Sequence, residues 1–423
     1  MIRHPHSLLI RRLAGLLSTC CIIAAGNCAL AGDWPQILGP ARNGVATSEQ
    51  LTPWTAVGPK QLWTVKLGSG YAGPAVVGNR VIVFHRIAEK ERVEAFDTLS
   101  GKSVWQADFD ATYRGGIDPD TGPRCVPLVH EGSVYVYGAG GDLHCVALDT
   151  GKKRWSRALD ADYDADGGYF GAGSTPIVAV GRLLVNVGGR EAGLVGLDLA
   201  TGKTLWQGTK EGASYSSPTL TMLAGKPRVI FVTRMNAVLV DPATGAARVL
   251  MPFGARGPTV NAATPLVFDG HLFLSASYGV GAVFAKLDEK SVTQIWANDD
   301  SLSSQYTTSV QRGGYLYGIH GREDIGTAAL RCIEAATGKV QWSQDDFGVA
   351  HAILAGDKLV LLGVGGKLTL AEANPQKYRE LAFATISADA TRALPALSSG
   401  RLFLRTNIRG AGGELKCLQV GSL

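Results

Sequence analysis

The feature that most constrains this chain is a phrase repeated down most of its length: an alternating strand, an acid, a Thr-Gly-Lys turn and a tryptophan. Residues 194 to 206 read LVGLDLATGKTLW. Aligned on the turn, the copies are Ala95-x-Asp97-x-x-Ser100-Gly101-Lys102-x-x-Trp105, then Cys145 through Thr150-Gly151-Lys152 to Trp155, then Gly196-x-Asp198-x-x-Thr201-Gly202-Lys203-x-x-Trp206. Leu239-x-Asp241-x-x-Thr244-Gly245 follows, ending at Val249, and Cys332-x-Glu334-x-x-Thr337-Gly338-Lys339-x-x-Trp342 comes after it. Degenerate copies run from Ala285 to Trp296 and from Leu370 to Leu381, and Trp63 stands alone near the start. The eight closing positions (63, 105, 155, 206, 249, 296, 342, 381) are spaced mostly in the forties and low fifties. That is the period of a four-stranded propeller blade.

One repeat shows why. Residues 125–130, 133–137 and 143–148 alternate apolar and polar side chains, with turns at Glu131-Gly132 and Gly138 to Asp142, and Thr150-Gly151-Lys152 leads into a last strand holding Trp155. Such a meander is apolar on both faces, so it must be sandwiched between neighbours. Stacking wedges in a ring buries those faces and leaves only short, protected edges. The expected fold is therefore all-β: an eight-bladed propeller of four-stranded antiparallel blades. Its eighth blade is expected to form by pairing residues 61–67, which hold Trp63, with residues 413–420. Repetition also explains the motif. The turn Gly accepts a positive φ, the acid or Thr bonds the turn backbone, and the indole covers apolar area at a seam. Trp63, Asp97, Trp105, Trp155, Asp198, Trp206, Trp296 and Trp342 are read as structural docking residues, not catalytic ones.

Ahead of the repeats, residues 1–31 read as a secretory leader. Arg3, Arg11 and Arg12 form a basic start, Leu13 to Ala25 an apolar stretch too short to span a bilayer comfortably, and Ala29-Leu30-Ala31 a cleavage site. Residues 32–60 are expected to form a surface strap, and residues 61–423 the propeller. The leader holds three arginines and no acid, so its removal lowers the formal charge from +5 by three, to +2. A nearly neutral chain lacks the concentrated basic face that nucleic acid or an anionic membrane requires. Removing the leader also removes Cys20, Cys21 and Cys28. Cys125, Cys145, Cys332 and Cys417 remain: the last three fall on equivalent third strands of different blades, and Cys125 lies two strands from Cys145 within one blade, so all four are expected to be free thiols.

The repeated residues resemble the pyrroloquinoline-quinone-type propeller repeat, whose docking motif is A-x-D-x-x-T-G-x-x-x-W, over nearly the whole mature chain. DWPQ at 33–36, TGPRCVPLV from Thr121 and VNAATPLV from Val260 resemble exported bacterial members. The superfamily comprises quinoprotein dehydrogenases and non-catalytic propellers of the BamB type. The dehydrogenases carry a vicinal disulfide over the quinone, a calcium-ligating Glu/Asn/Asp set and a catalytic Asp. Here the only adjacent cysteines are Cys20-Cys21, inside the leader, and no acidic cluster is evident at the strand starts. The resemblance thus implies an exported, non-catalytic, monomeric scaffold in the periplasm or outside the cell, with an envelope protein as partner and no cofactor. The alternative is a quinone-dependent alcohol or sugar dehydrogenase.

Six inner strands open at a proline: Pro74, Pro127, Pro176, Pro218, Pro265 and Pro395. Three positions earlier stand Tyr71, Arg124, Gly173, Tyr215, Ala262 and Arg392, and Tyr306 holds the parallel position in another blade. One end of the axial funnel is therefore expected to carry Tyr71, Arg124, Tyr215, Tyr306 and Arg392, with Asn261 and His351 nearby. These residues read either as a solvated rim or as a site for an anionic or aromatic ligand, since Arg pairs with carboxylates and Tyr offers stacking faces.

Asp162, Asp164 and Asp166 followed by Gly167 match the first half of a calcium loop, although the twelfth position is Gly173 rather than Glu. The histidines show no H-x-x-x-H spacing, no serine sits in a G-x-S-x-G elbow, and the Gly-rich runs join strand to strand rather than strand to helix.

Overall fold

The structure, a computed structural model, describes residues 1–2, 32–257, 259–408 and 412–422. The expected leader, with Cys20, Cys21 and Cys28, lies outside the described residues from position 3 onward. The strands form eight antiparallel blades of four, arranged as an eight-bladed propeller. Blade 1 spans residues 75–110, and blade 2 comprises Leu128–His130, Ser133–Tyr137, Asp142–Ala147 and Lys153–Ala158. Blades 3 to 7 follow in order, beginning at Ile177, Thr219, Leu266, Val310 and Ala350. Blade 8 takes Ala396–Ser398, Arg401–Ile408 and Gly412–Gln419 from the C-terminal end, and its outer strand is Lys60–Leu67. Trp63 pairs with Cys417 and Leu67 with Gly413, which closes the ring as the alternation predicts.

The hydrophobic core is divided among the seams. Ile82, Phe84 and Val93 of blade 1 pack against Val134, Val136 and Val146 of blade 2, and Ile177 and Leu184 of blade 3 against Val229 and Phe231 of blade 4. Cys125, Cys145, Cys332 and Cys417 are all buried and free.

At six of the eight seams the indole of one blade reaches the turn of the next. The Nε1 donors of Trp63, Trp105 and Trp155 reach the carbonyls of Thr98 (3.0 Å), Leu148 (2.8 Å) and Leu199 (3.0 Å). Those of Trp206, Trp296 and Trp342 reach Pro242 (3.0 Å), Ala335 (2.8 Å) and Asn374 (2.8 Å). In these strands the register slips by one just before the indole, as at Lys153/Trp155, and such a bulge re-aims the side chain that follows it. The skipped residues Val104, Leu205 and Ile295 are left exposed. The turns receiving the rings are tied by Asp97 and Asp198, whose Oδ1 atoms accept from the backbone N–H of Ser100 (2.9 Å) and Thr201 (2.8 Å) and from their hydroxyls.

Residues 33–52 do not strap the surface as expected; most of them enter the central channel. Trp34 exchanges both backbone bonds with Val76 of blade 1, and the Pro35 carbonyl accepts from Val129 of blade 2. Val45–Ala46 adds a parallel fifth strand to the inner edge of blade 7, opposite Leu354 and Ala355. Glu49 accepts from the N–H groups of Ser399 (2.6 Å) and Gly400 (2.7 Å), and Leu51 bridges to Gly421, both in blade 8. Between these anchors Arg42, 2% exposed, donates to the carbonyls of Thr175 (3.2 Å), Pro176 and Pro218 (3.1 Å), where the inner strands of blades 3 and 4 begin. Gln36 accepts from its Nε at 2.7 Å. The segment stays buried because its backbone and its one cation satisfy the free polar groups of inner-strand edges.

Candidate functional site

Tyr71, Arg124, Arg392, Tyr306 and His351 converge at the channel mouth, with three carboxylates among them. Tyr71 donates its hydroxyl to Asp118 (3.2 Å), and the Gly70 N–H donates to Asp120 (3.0 Å). The Arg124 guanidinium stands 5.5 Å from the Tyr71 ring and 5.4 Å from Tyr113 and donates to the Asp120 carbonyl at 2.5 Å. Arg392 pairs with Glu323 at 2.6 Å and approaches Asp118 at 3.9 Å. The other oxygen of Glu323 accepts from the Tyr306 hydroxyl at 2.6 Å.

Electrostatics follow from that arrangement. Burial, then the charges of Asp118 and Asp120, push the Tyr71 phenol up, and burial with Glu323 does the same to Tyr306, so both remain hydrogen-bond donors. Burial works against the Arg392 charge, but the hydrogen bond and charge of Glu323 outweigh it and hold the guanidinium protonated. His351 is buried and its pKa is lowered by that burial, so it is neutral. Its Nε2–H donates to the Arg392 carbonyl at 2.7 Å, so it positions the loop carrying Arg392 and does not act as a base.

Between blades 8 and 1 the mouth opens into a cavity of about 690 Å³ lined by Ser69, Tyr71, Asp118, Asp120, Arg392 and Asn407. The Asn407 side chain donates to the Gly70 carbonyl at 2.6 Å, while its buried Oδ1 has no partner among the described residues. Because each arginine at the mouth already faces a carboxylate, the cavity offers mixed polar and aromatic contacts rather than net positive charge.

The other two predicted rim residues make their hydrogen bonds outside this group. Tyr215 accepts the Phe170 N–H on its hydroxyl at 2.9 Å, beneath the loop joining blades 2 and 3. Asn261, 2% exposed, donates to the carbonyls of Thr233 (3.1 Å), Arg234 (3.3 Å) and Phe253 (3.1 Å) and stitches blade 4 to the loop before blade 5. The strand starts themselves carry no acidic cluster, but Asp118, Asp120 and Glu323 bring one to the mouth from elsewhere. They come from the connection between blades 1 and 2 and from a hairpin of blade 6; the signal available was the turn Asp118-Pro119-Asp120 in a long, strandless connection.

The loop expected to wrap calcium sends its acids to separate partners. Asp162 pairs with Arg157 (2.6 Å), Asp164 with Arg190 (3.2 Å), and Asp166 accepts the Gly168 N–H (3.0 Å). Asp164 takes a left-handed backbone at the end of the short helix Leu159–Tyr163, which splays the alternating carboxylates apart.

The family model described as outer membrane protein assembly factor BamB matches residues 42–112 and 89–344. The chain belongs to that family. Its relatives include both functional branches of the PQQ-like propellers. The 1-butanol dehydrogenase (cytochrome c) of Thauera butanivorans is 31% identical over 192 residues, covering 44% of this chain and 26% of that one. The outer membrane protein assembly factor BamB of Burkholderia pseudomallei is 26% identical over 195 residues, covering 37% of this chain and 48% of the other. The chain thus spans less than half the length of either relative. The solved BamB of Moraxella catarrhalis superposes with a TM-score of 0.60 at 17% identity, over 86% of this chain and 98% of that one, a likeness of fold. Among the described residues no helix is long and apolar enough to cross a membrane.

Proposed function

We propose that this chain is an exported, non-catalytic propeller that docks an envelope protein at its channel mouth, in the manner suggested by its BamB relatives. One observation carries this reading: the hub is filled by the chain's own residues 33–46, with Arg42 bonded to carbonyls of blades 3 and 4. A flat quinone held on the axis would need that volume. The residues at the mouth do not fit the group either, since Asp118, Asp120 and Glu323 are engaged by Tyr71, Gly70, Arg392 and Tyr306. Among the described residues no two cysteines are adjacent.

The dehydrogenase relative keeps a second reading in view, namely quinone-dependent oxidation of an alcohol or sugar. Titration of the purified protein with pyrroloquinoline quinone and calcium separates the two. The scaffold reading expects neither quinone absorbance on the protein nor alcohol-dependent dye reduction, and both together would overturn it. Crosslinking in intact envelopes is expected to recover an outer-membrane assembly component; recovery of a c-type cytochrome alone would favour the dehydrogenase. Removal of residues 1–31 is part of the same proposal, with N-terminal sequencing of the exported protein expected to begin at Gly32.

A further inference from the structure

A second polar site lies away from the channel mouth, between blades 2 and 3. A small, partly open cavity of about 50 Å³ is lined there by Tyr137, Asp160, Asp166, Asn186, Tyr215 and the glycines at 167, 168, 171 and 173. Asn186 closes the strand Arg182–Asn186 and is 2% exposed, yet among the described residues neither its Oδ1 nor its Nδ2 has a hydrogen-bond partner. Leaving a buried amide oxygen unpaired costs on the order of 1–3 kcal/mol, so the persistence of Asn186 Oδ1 points to an occupant.

The charge of the surroundings specifies that occupant. No basic side chain lines the cavity, whereas Asp160 and Asp166 do. The volume exceeds the 10–15 Å³ or so that one water needs, but it is too small for an organic ligand. Glycines leave backbone carbonyls free to approach a centre, as hard cations with irregular oxygen shells require.

We propose that this cavity binds a single calcium ion through Asn186 Oδ1 and the carboxylates of Asp160 and Asp166. The ion would fasten the connection between blades 2 and 3, whose Phe170 N–H is bonded to Tyr215. The set differs from the loop motif read in the sequence: Asp166 is shared, while Asp162 and Asp164 remain with their arginines. The inference does not depend on what docks at the mouth.

Terbium tests it directly, because Tyr137 and Tyr215 line the cavity and can sensitise its emission. Full-length, chelator-treated protein is expected to give tyrosine-sensitised terbium luminescence that calcium competes away, and calcium alone is expected to raise the melting temperature. Asp160→Asn should reduce terbium affinity at least tenfold, and Asp162→Asn should leave it unchanged. Asn186→Leu should abolish the calcium-dependent shift while raising the melting temperature of the calcium-free protein. Should Asn186→Leu fail to fold, Asp160→Asn still decides. Absence of sensitised emission, or emission lost in Asp162→Asn but kept in Asp160→Asn, overturns the proposal.

Discussion

The six-membered ring of Trp155 lies against Gly202 of the next blade so closely that a Cβ at position 202 would stand 2.7 Å from its Cε3. Gly202 also holds a φ of +71°. Gly202→Ala is therefore expected to lose about 2–4 kcal/mol, combining left-handed strain with displacement of the ring. Gly181→Ala is the control: its φ is +66°, but nothing lies within 4 Å of the added carbon, so about 1–2 kcal/mol is expected. Urea unfolding of the two variants measures the difference.

Arg42 donates to three carbonyls of blades 3 and 4, with no carboxylate among its partners. Arg42→Met keeps much of the volume and removes every donor. A loss on the order of 2–4 kcal/mol is expected in equilibrium unfolding, because buried carbonyls are left without partners.

Glu91 is 1% exposed, and one oxygen accepts the Ala139 N–H at 3.2 Å. Burial, above all, pushes its carboxyl from the ordinary 4.5 up to about 7. The folded state holds this proton more tightly than the unfolded chain does. Its contribution is thus complete below pH 4.5 and is lost as pH rises toward 7, by roughly 3 kcal/mol. Glu91→Gln should remove this component, so that the difference between variant and parent grows across that window in favour of the variant. A series of melts from pH 4 to pH 8 reads it.

The thiols supply a chemical test of the seams. Burial pushes Cys145 up to about 11 and Cys332 and Cys417 up to about 12. Native protein at pH 8 should resist alkylation at Cys125, Cys145, Cys332 and Cys417. In denaturant without reductant all four should be labelled, and mass analysis showing fewer would reveal a disulfide.

At the mouth, Arg392 is 40% exposed, so its pairing with Glu323 adds at most about 1 kcal/mol to stability. Arg392→Ala combined with Tyr71→Ala is expected to cut crosslinking to the envelope partner at least tenfold while moving the melting temperature by only a few degrees. Unchanged crosslinking would place the docking face elsewhere.

The propeller was legible because its burial problem is written in alternation: Ser133 to Tyr137 and Leu194 to Asp198 can only be strands with two covered faces. The seam could be read too, since Trp and Gly recur at fixed offsets, and where Trp gives way to Val249 the following turn, Asp288 to Ser291, contains no glycine. The mouth was half legible. Prolines mark where inner strands begin, which locates Tyr71, Arg124 and Arg392, but Asp118 and Glu323 arrive on connections whose paths no periodicity encodes. The channel segment was misread for a related reason. Pro35, Gly39, Pro40 and Gly44 give it the composition of a surface loop, and only the inner-strand edges awaiting backbone partners make it an interior one.

That segment carries a consequence for the order in which this protein can be made. Residues 33–49 are synthesised before most of their partners, among them Thr175, Pro218, Leu354 and Gly400. Its bonds to Val76 and Val129 can form once blades 1 and 2 exist, whereas those of Glu49 and Leu51 require blade 8, so the segment is fully secured only as the ring closes.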